Sequence, residues 1–243
     1  MSFCDADDMV TPYYVDTLYT LTKSAGADVG ISPIFVEKKA GMPRIIELED
    51  CTTWLHGKCY KVDYLKKNNI RFYDDIRCNE DGAFNLLAVN MTQKRQKLST
   101  PVYLWRDYKG SITRENILKF NQEGNQQHIL GTIRSTIRLI EEGYFKEDNL
   151  ILGAASMVST AYNFSECSRL IGGALDRANP VIKEMLRKPY VQDLFKTRGN
   201  TKIILEKIQT YRDINKKIYP FKESFYSWLK KMGDIDIEKL EFN

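Results

Sequence analysis

Three carboxylates crowd the start of the sequence in Asp5-Ala6-Asp7-Asp8. Like charges this close repel, and a hard divalent cation held by their oxygens relieves the repulsion. Such a cation could bridge two phosphates and stabilise a departing diphosphate as a Lewis acid. The same run also reads as a solvated turn with an acidic helix cap. A second acidic pair, Glu80-Asp81, stands at the mouth of a helix-forming run. A carboxylate there can act as a general base if a hydroxyl nucleophile comes within hydrogen-bond reach. It also satisfies the ordinary acidic bias of a first helical turn. The third group is Trp105-Arg106-Asp107-Tyr108-Lys109-Gly110-Ser111-Ile112-Thr113. Its cations and hydroxyls around a glycine turn could clamp phosphates through charge-assisted hydrogen bonds; alternatively it is a polar turn.

The elements that must hold these residues follow from spacing. Met1-Ser2-Phe3-Cys4 reads as the end of a buried strand with the acids at its C-terminal tip, where α/β proteins place ligands. Thr11-Pro12 predicts a helix start, with Thr11 as N-cap and Pro12 in the first turn, and Gly26 predicts its end. Val29 to Glu37 and Arg44 to Glu49 predict an antiparallel hairpin. Short helices are expected over Lys61 to Asn68 and Ala83 to Met91, and an aromatic strand over Pro101 to Tyr108. From Arg114 onward helical periodicity takes over. It predicts helices near 115–121, 126–142, 148–162, 165–175, 179–187, 190–197, 201–217 and 222–231.

Four segments together resemble bacterial family 2 glycosyltransferases of the GT-A type. Ser2 to Tyr14 is similar to the strand, DxD motif and following helix of that family. Lys58-Cys59-Tyr60-Lys61 with Leu65 to Phe72 resembles its "K-L-Y-K…L…N-I-R-F" stretch. Glu80-Asp81, followed by Phe84, stands where the family has its Glu-Asp pair. Tyr103-Leu104-Trp105-Arg106 with Gly110-Ser111-Ile112 is similar to its "Y-Y-Y-R…G-S-I" segment.

The resemblance implies an α/β fold: a partial GT-A (Rossmann-like) mixed sheet starting at the DxD strand, then an α-helical C-terminal region. Residues 1–113 would be the metal and acceptor half of the catalytic domain, and 114–243 a helical accessory region. It implies Asp5 and Asp7 as ligands of Mn2+ or Mg2+, with Asp8 orienting the sugar or the metal shell. Asp81 would be the catalytic base of an inverting transfer, and Glu80 would position it. Arg106, Lys109 and Ser111 would approach the diphosphate, and Trp54 or His56 the sugar or acceptor. The implied partners are a nucleotide-sugar donor and a cell-surface glycan or lipid-linked acceptor.

Family members carry a strand–helix–strand–helix unit, which holds the nucleotide, ahead of the DxD strand. This sequence opens on that strand, so the resemblance covers residues 2–113 without the N-terminal nucleotide-binding part. A missing-half polypeptide or a homo-oligomer would then cover the sheet edge. A non-catalytic remnant or scaffold is the competing class. Its basic helices, such as Thr201 to Lys217, would bind a partner protein or an anionic membrane surface.

The 243 residues suffice for one large domain or a domain with an appendage. The net charge of +4, from 36 basic and 32 acidic residues, argues against a nucleic-acid binder. Five cysteines at irregular spacing, with no CxxC pair, predict free thiols in a reducing compartment rather than disulfides or zinc. The expected location is cytoplasmic, with peripheral contact at the inner face of the membrane as a further expectation.

Overall fold

Pro33 interrupts the β-rich run that spacing alone reads as one strand from Val29 to Glu37. Proline brings no N–H to a ladder, and beside it the Ser32 hydroxyl donates to Thr100 O at 2.7 Å. A computed structural model describes residues 1–38, 41–46, 53–107, 117–215 and 223–233. In it the run divides into β2 (Val29–Ile31) and β3 (Ile34–Lys38), which enter different sheets. β3 still forms the expected antiparallel hairpin with β4 (Gly41–Ile46), from Ile34 opposite Ile46 to Lys38 opposite Gly41.

The chain divides into two units, one of Met1–Tyr73 with Asp81–Ile117 and one of Asp74–Glu80 with Leu118–Asn243. The first holds both sheets. One runs β1 (Met9–Val10), β7 (Tyr103–Trp105), β3, β4, with β7 parallel to β3 and its other pairs antiparallel. The other runs β5 (Lys58–Tyr60), β2, β6 (Arg95–Lys97), with β2 antiparallel to β5 and parallel to β6. The short polar strands β5 and β6 are absent from the sequence reading because neither carries a period-2 apolar pattern.

The strand expected over residues 1–4 is reduced to one bridge, Ser2 opposite Cys59. Met1 and Tyr60 exchange backbone bonds there, amine to Tyr60 O at 2.7 Å and Tyr60 N to Met1 O at 2.8 Å. The acids then form a turn closed by Asp8 N donating to Asp5 O at 3.2 Å, and pairing resumes at β1. The acidic run is thus a turn leading into a strand rather than the tip of one.

α1 (Tyr14–Ser24) begins later than Thr11-Pro12 predicts. A turn, Tyr14 N to Thr11 O at 3.0 Å, precedes it, and no side chain among the described residues caps it. Its end is as expected, with Gly26 at φ +60 just beyond. Tyr14, Leu18 and Thr22 lie one turn apart and are its buried face. A Cβ at Gly30 would stand 2.1 Å from Thr22 Oγ1, so only glycine lets the helix approach β2 this closely.

α2 (Val62–Lys67) and α3 (Glu80–Asn90) match the expected helices to within a few residues. α3 buries Ala83, Phe84, Leu87 and Ala88. Phe84 stacks on Phe72 at 4.7 Å and meets Phe3 edge-on at 5.7 Å. Tyr60 closes the cluster, 5.3 Å from Phe84, and its hydroxyl donates to Asn85 Oδ1 at 2.6 Å. These rings fasten the segment carrying the acidic turn to the helix carrying Asp81.

The second unit is helical: α4 (Ile117–Glu141), α5 (Glu147–Ile171), α6 (Ala178–Leu186), α7 (Pro189–Gln192), a 3-10 turn (Asp193–Phe195), α8 (Arg198–Asn215) and α9 (Phe225–Met232). α4 and α5 each run through a break that periodicity predicts. The helices continue because packing overrides local propensity. Asn163, Ser165 and Glu166, which make the sequence look interrupted, are buried. Glu166 accepts both bonds of Arg169, at 3.0 and 2.8 Å, and one from Glu223 N at 3.2 Å. Segment 74–80, part of the first domain in the sequence reading, groups with this unit. Asp75 accepts from Arg134 at 2.7 Å, and Gln127 Oε1 accepts from Cys78 N at 3.0 Å. Among the described residues no helix is long and apolar enough to cross a membrane.

Candidate functional site

The turn between the Ser2 bridge and β1 presents Asp5 outward and turns Asp8 inward. The Asp8 side chain is 1% exposed and that of Asp5 62%. A buried carboxylate needs donors, and β7 supplies them. The Tyr103 hydroxyl donates to Asp8 Oδ2 at 2.6 Å, and the backbone N–H of Arg106 donates to Asp8 Oδ1 at 2.9 Å. The Tyr103 oxygen also accepts from Asp5 N at 3.2 Å. Burial, reinforced by the bond to Asp8, holds the Tyr103 phenol well above its ordinary range, so it stays protonated and donates.

His56 completes the group from a different part of the chain. Its Nε2 lies 3.2 Å from Asp5 Oδ2 and 3.7 Å from Asp8 Oδ2. The loop carrying it is held at both ends. Gly57 sits at φ +66 with its carbonyl accepting from Ser32 N at 2.8 Å, and a Cβ there would meet Ile34 Cγ2 and Ser32 O at 2.8 Å. The buried Lys58 ammonium donates to Trp54 O. The imidazole stacks on Tyr103 at 4.8 Å and 16°, with Trp105 at 5.8 Å. Trp54 packs on Trp105 at 5.5 Å, so an aromatic wall flanks the carboxylates.

One ligand atom each from Asp5, Asp8 and His56 lies within 4.8 Å of the other two. Two carboxylate oxygens and an imidazole nitrogen at that spacing suit a divalent cation such as Mn2+. Asp8 Oδ2, though bonded to Tyr103, keeps a lone pair for such an ion. The residues present therefore fit the metal that the resemblance implies.

The other expected site residues fall as follows. Asp7, expected as a ligand, occupies the turn but is not part of this group. Asp81 lies in the first turn of α3 and accepts from the adjacent Gly82 N at 2.7 Å. Glu80 precedes it and groups with the second unit. The Arg106 guanidinium lies 3.9 Å from Glu37 with both side chains about 40% exposed, a weak, screened pair. Lys109 and Ser111 lie outside the described residues. Tyr103 and Glu37 have no assigned role in the sequence reading. Nothing in sequence marks a tyrosine at a strand's start as the partner of an aspartate 95 positions away.

No family model matches the sequence, and no curated protein matches it. Solved structures do. S. aureus TarS 1–349 aligns at 13% identity with a TM-score of 0.51, covering 89% of this chain and 66% of that one. The same segment in complex with UDP-GlcNAc aligns at 14% identity with a TM-score of 0.55, covering 89% and 67%. This chain thus spans about two thirds of the TarS segment's length. At such identity the likeness speaks for the fold. This mixed α/β chain therefore shares the fold of the TarS segment over the aligned residues.

Proposed function

We propose that the chain forms the catalytic and acceptor-side part of a metal-dependent, inverting glycosyltransferase of the family 2 kind. It would move a sugar from a nucleotide-sugar to a cell-surface glycan or lipid-linked acceptor. The observation that carries this reading is the convergence of Asp5, Asp8 and His56 beside an aromatic wall, on a fold shared with a segment whose structure holds UDP-GlcNAc. TarS 1–349 has a structure in complex with UDP-GlcNAc, which makes a uridine diphosphate sugar the first donor to test.

Asp5, Asp8 and His56 would hold Mn2+ or Mg2+, which as a Lewis acid supplies charge stabilisation for the departing diphosphate. Asp81, fastened to the acidic turn through Phe84 and Phe3, takes the proton of the acceptor hydroxyl as its oxygen attacks the anomeric carbon. The bond from that carbon to the diphosphate breaks on the opposite face, which inverts the centre. Glu80 flanks the base. Arg106 exchanges its screened contact with Glu37 for the diphosphate, alongside Lys109 and Ser111. Trp54 offers a flat face to a sugar ring.

Calorimetric titration of the chain with UDP, with and without Mn2+, tests the reading. Binding that requires Mn2+ is expected. A folded chain that binds neither overturns it and favours the scaffold class. The ligand set is tested separately. If Asp7 is a ligand, as the DxD resemblance implies, Asp7→Ala removes Mn2+ binding. If the geometric group holds the ion, His56→Ala weakens it and Asp7→Ala does not.

A further inference from the structure

A metal-binding histidine is ordinarily oriented by a hydrogen bond from its second ring nitrogen to a carboxylate, carbonyl or water. Among the described residues His56 has none: its Nδ1 is buried without a hydrogen-bond partner there. The near-parallel stack on Tyr103, at 4.8 Å and 16°, takes the place of that bond. The same tyrosine fixes the other two members. Its hydroxyl donates to Asp8 Oδ2 at 2.6 Å and accepts from Asp5 N at 3.2 Å. One residue thus touches all three members of the group, with its ring on one and its hydroxyl on the other two. Tyr103 is itself fully buried, and its strand is paired on both sides, to β1 and to β3. A rigid central strand is the right mount for such a part.

We infer that Tyr103 is the positioning residue of the cation site: its ring sets the plane of His56, and its hydroxyl sets the Asp8 carboxylate and the backbone of Asp5. The inference rests on the metal-site reading above. Its two halves are separable. Tyr103→Phe keeps the stack and removes the hydroxyl. Tyr103→Leu removes both.

The test uses the full chain and Mn2+ alone as probe. Affinity is read by electron paramagnetic resonance, and imidazole ligation by the nitrogen coupling of the bound ion. In the wild-type chain a nitrogen coupling is expected, lost in His56→Ala. Tyr103→Phe is expected to bind Mn2+ about tenfold more weakly with the coupling retained. Tyr103→Leu is expected to weaken binding further and to lose the coupling. Circular dichroism checks that each variant folds; if the Leu variant does not, the Phe variant alone decides. A merely structural role would lower thermal stability and leave the coupling unchanged in both. Wild-type affinity and coupling in a folded Tyr103→Phe and Tyr103→Leu overturn the inference while the metal-site reading stands. A wild-type chain that binds no Mn2+ overturns both.

Discussion

Asp7 and Asp8 are neighbours in sequence, but Asp8 belongs to the group with Asp5 and His56 and Asp7 does not. Asp8 is buried and takes two donors, so Asp8→Ala leaves the Tyr103 hydroxyl and the Arg106 N–H without their acceptor. A loss of about 1–3 kcal/mol in urea unfolding is expected, the cost of stranded buried polar groups. Asp7→Ala, outside that network, is expected to change stability by no more than about 0.5 kcal/mol. At this scale the sequence showed which residues are chemically able and not which ones meet. Asp5, Asp8 and His56 were all legible as site candidates from residue type and resemblance. That His56 reaches the carboxylates was not, because it depends on a loop turned by Gly57 and clipped by Lys58. Asp81→Asn is expected to leave Mn2+ and UDP binding intact and to abolish sugar transfer in an active assembly. Persisting transfer would show that Asp81 is not the base.

At the scale of elements, two glycines make opposite forecasts. Gly57 lies at φ +66 with backbone and side-chain atoms 2.8 Å from where a Cβ would stand. Gly57→Ala is expected to destabilise the fold by more than about 1 kcal/mol and to weaken Mn2+ binding, because the strain falls on the His56 loop. Gly82 lies in the first turn of α3 with no atom of the described residues within 4 Å of a Cβ. Gly82→Ala is expected to stabilise by up to about 1 kcal/mol through helix propensity and chain entropy. In α4, burial pushes the His128 imidazole down to about 4, under the Phe164 ring at 4.3 Å. The folded state therefore favours neutral His128, and the unfolded chain takes up the proton first. Stability is complete above the ordinary value of about 6.5 and falls as pH drops toward 4, by up to roughly 3 kcal/mol from this residue. Unfolding at pH 7 and pH 4.5 should show a smaller acid loss in His128→Leu than in the wild type. The elements best read from sequence were those with a strong local signature: α1 ending at Gly26, α3, and the β3–β4 hairpin. Those missed, β5, β6 and the long continuous α4 and α5, are set by partners far away in the chain.

For the molecule as a whole, the α/β-then-helical order was legible from the change in periodicity after Arg114. The passage of segment 74–80 to the helical unit was not, since it depends on Gln127, Arg134 and Arg177. The helical unit closes on itself around Trp228, which is 2% exposed and packs on Tyr162 at 5.5 Å. The Tyr162 hydroxyl donates to Glu223 O at 2.6 Å just ahead of α9. Trp228→Ala is expected to cost about 3–5 kcal/mol in unfolding experiments. The chain has three tryptophans, and the other two are Trp54 and Trp105, paired at 5.5 Å beside His56. Their placement gives the protein a built-in optical gauge. In a Trp228→Phe background every indole that emits light stands against the proposed cation site, so quenching by Mn2+ reads its occupancy without any added dye.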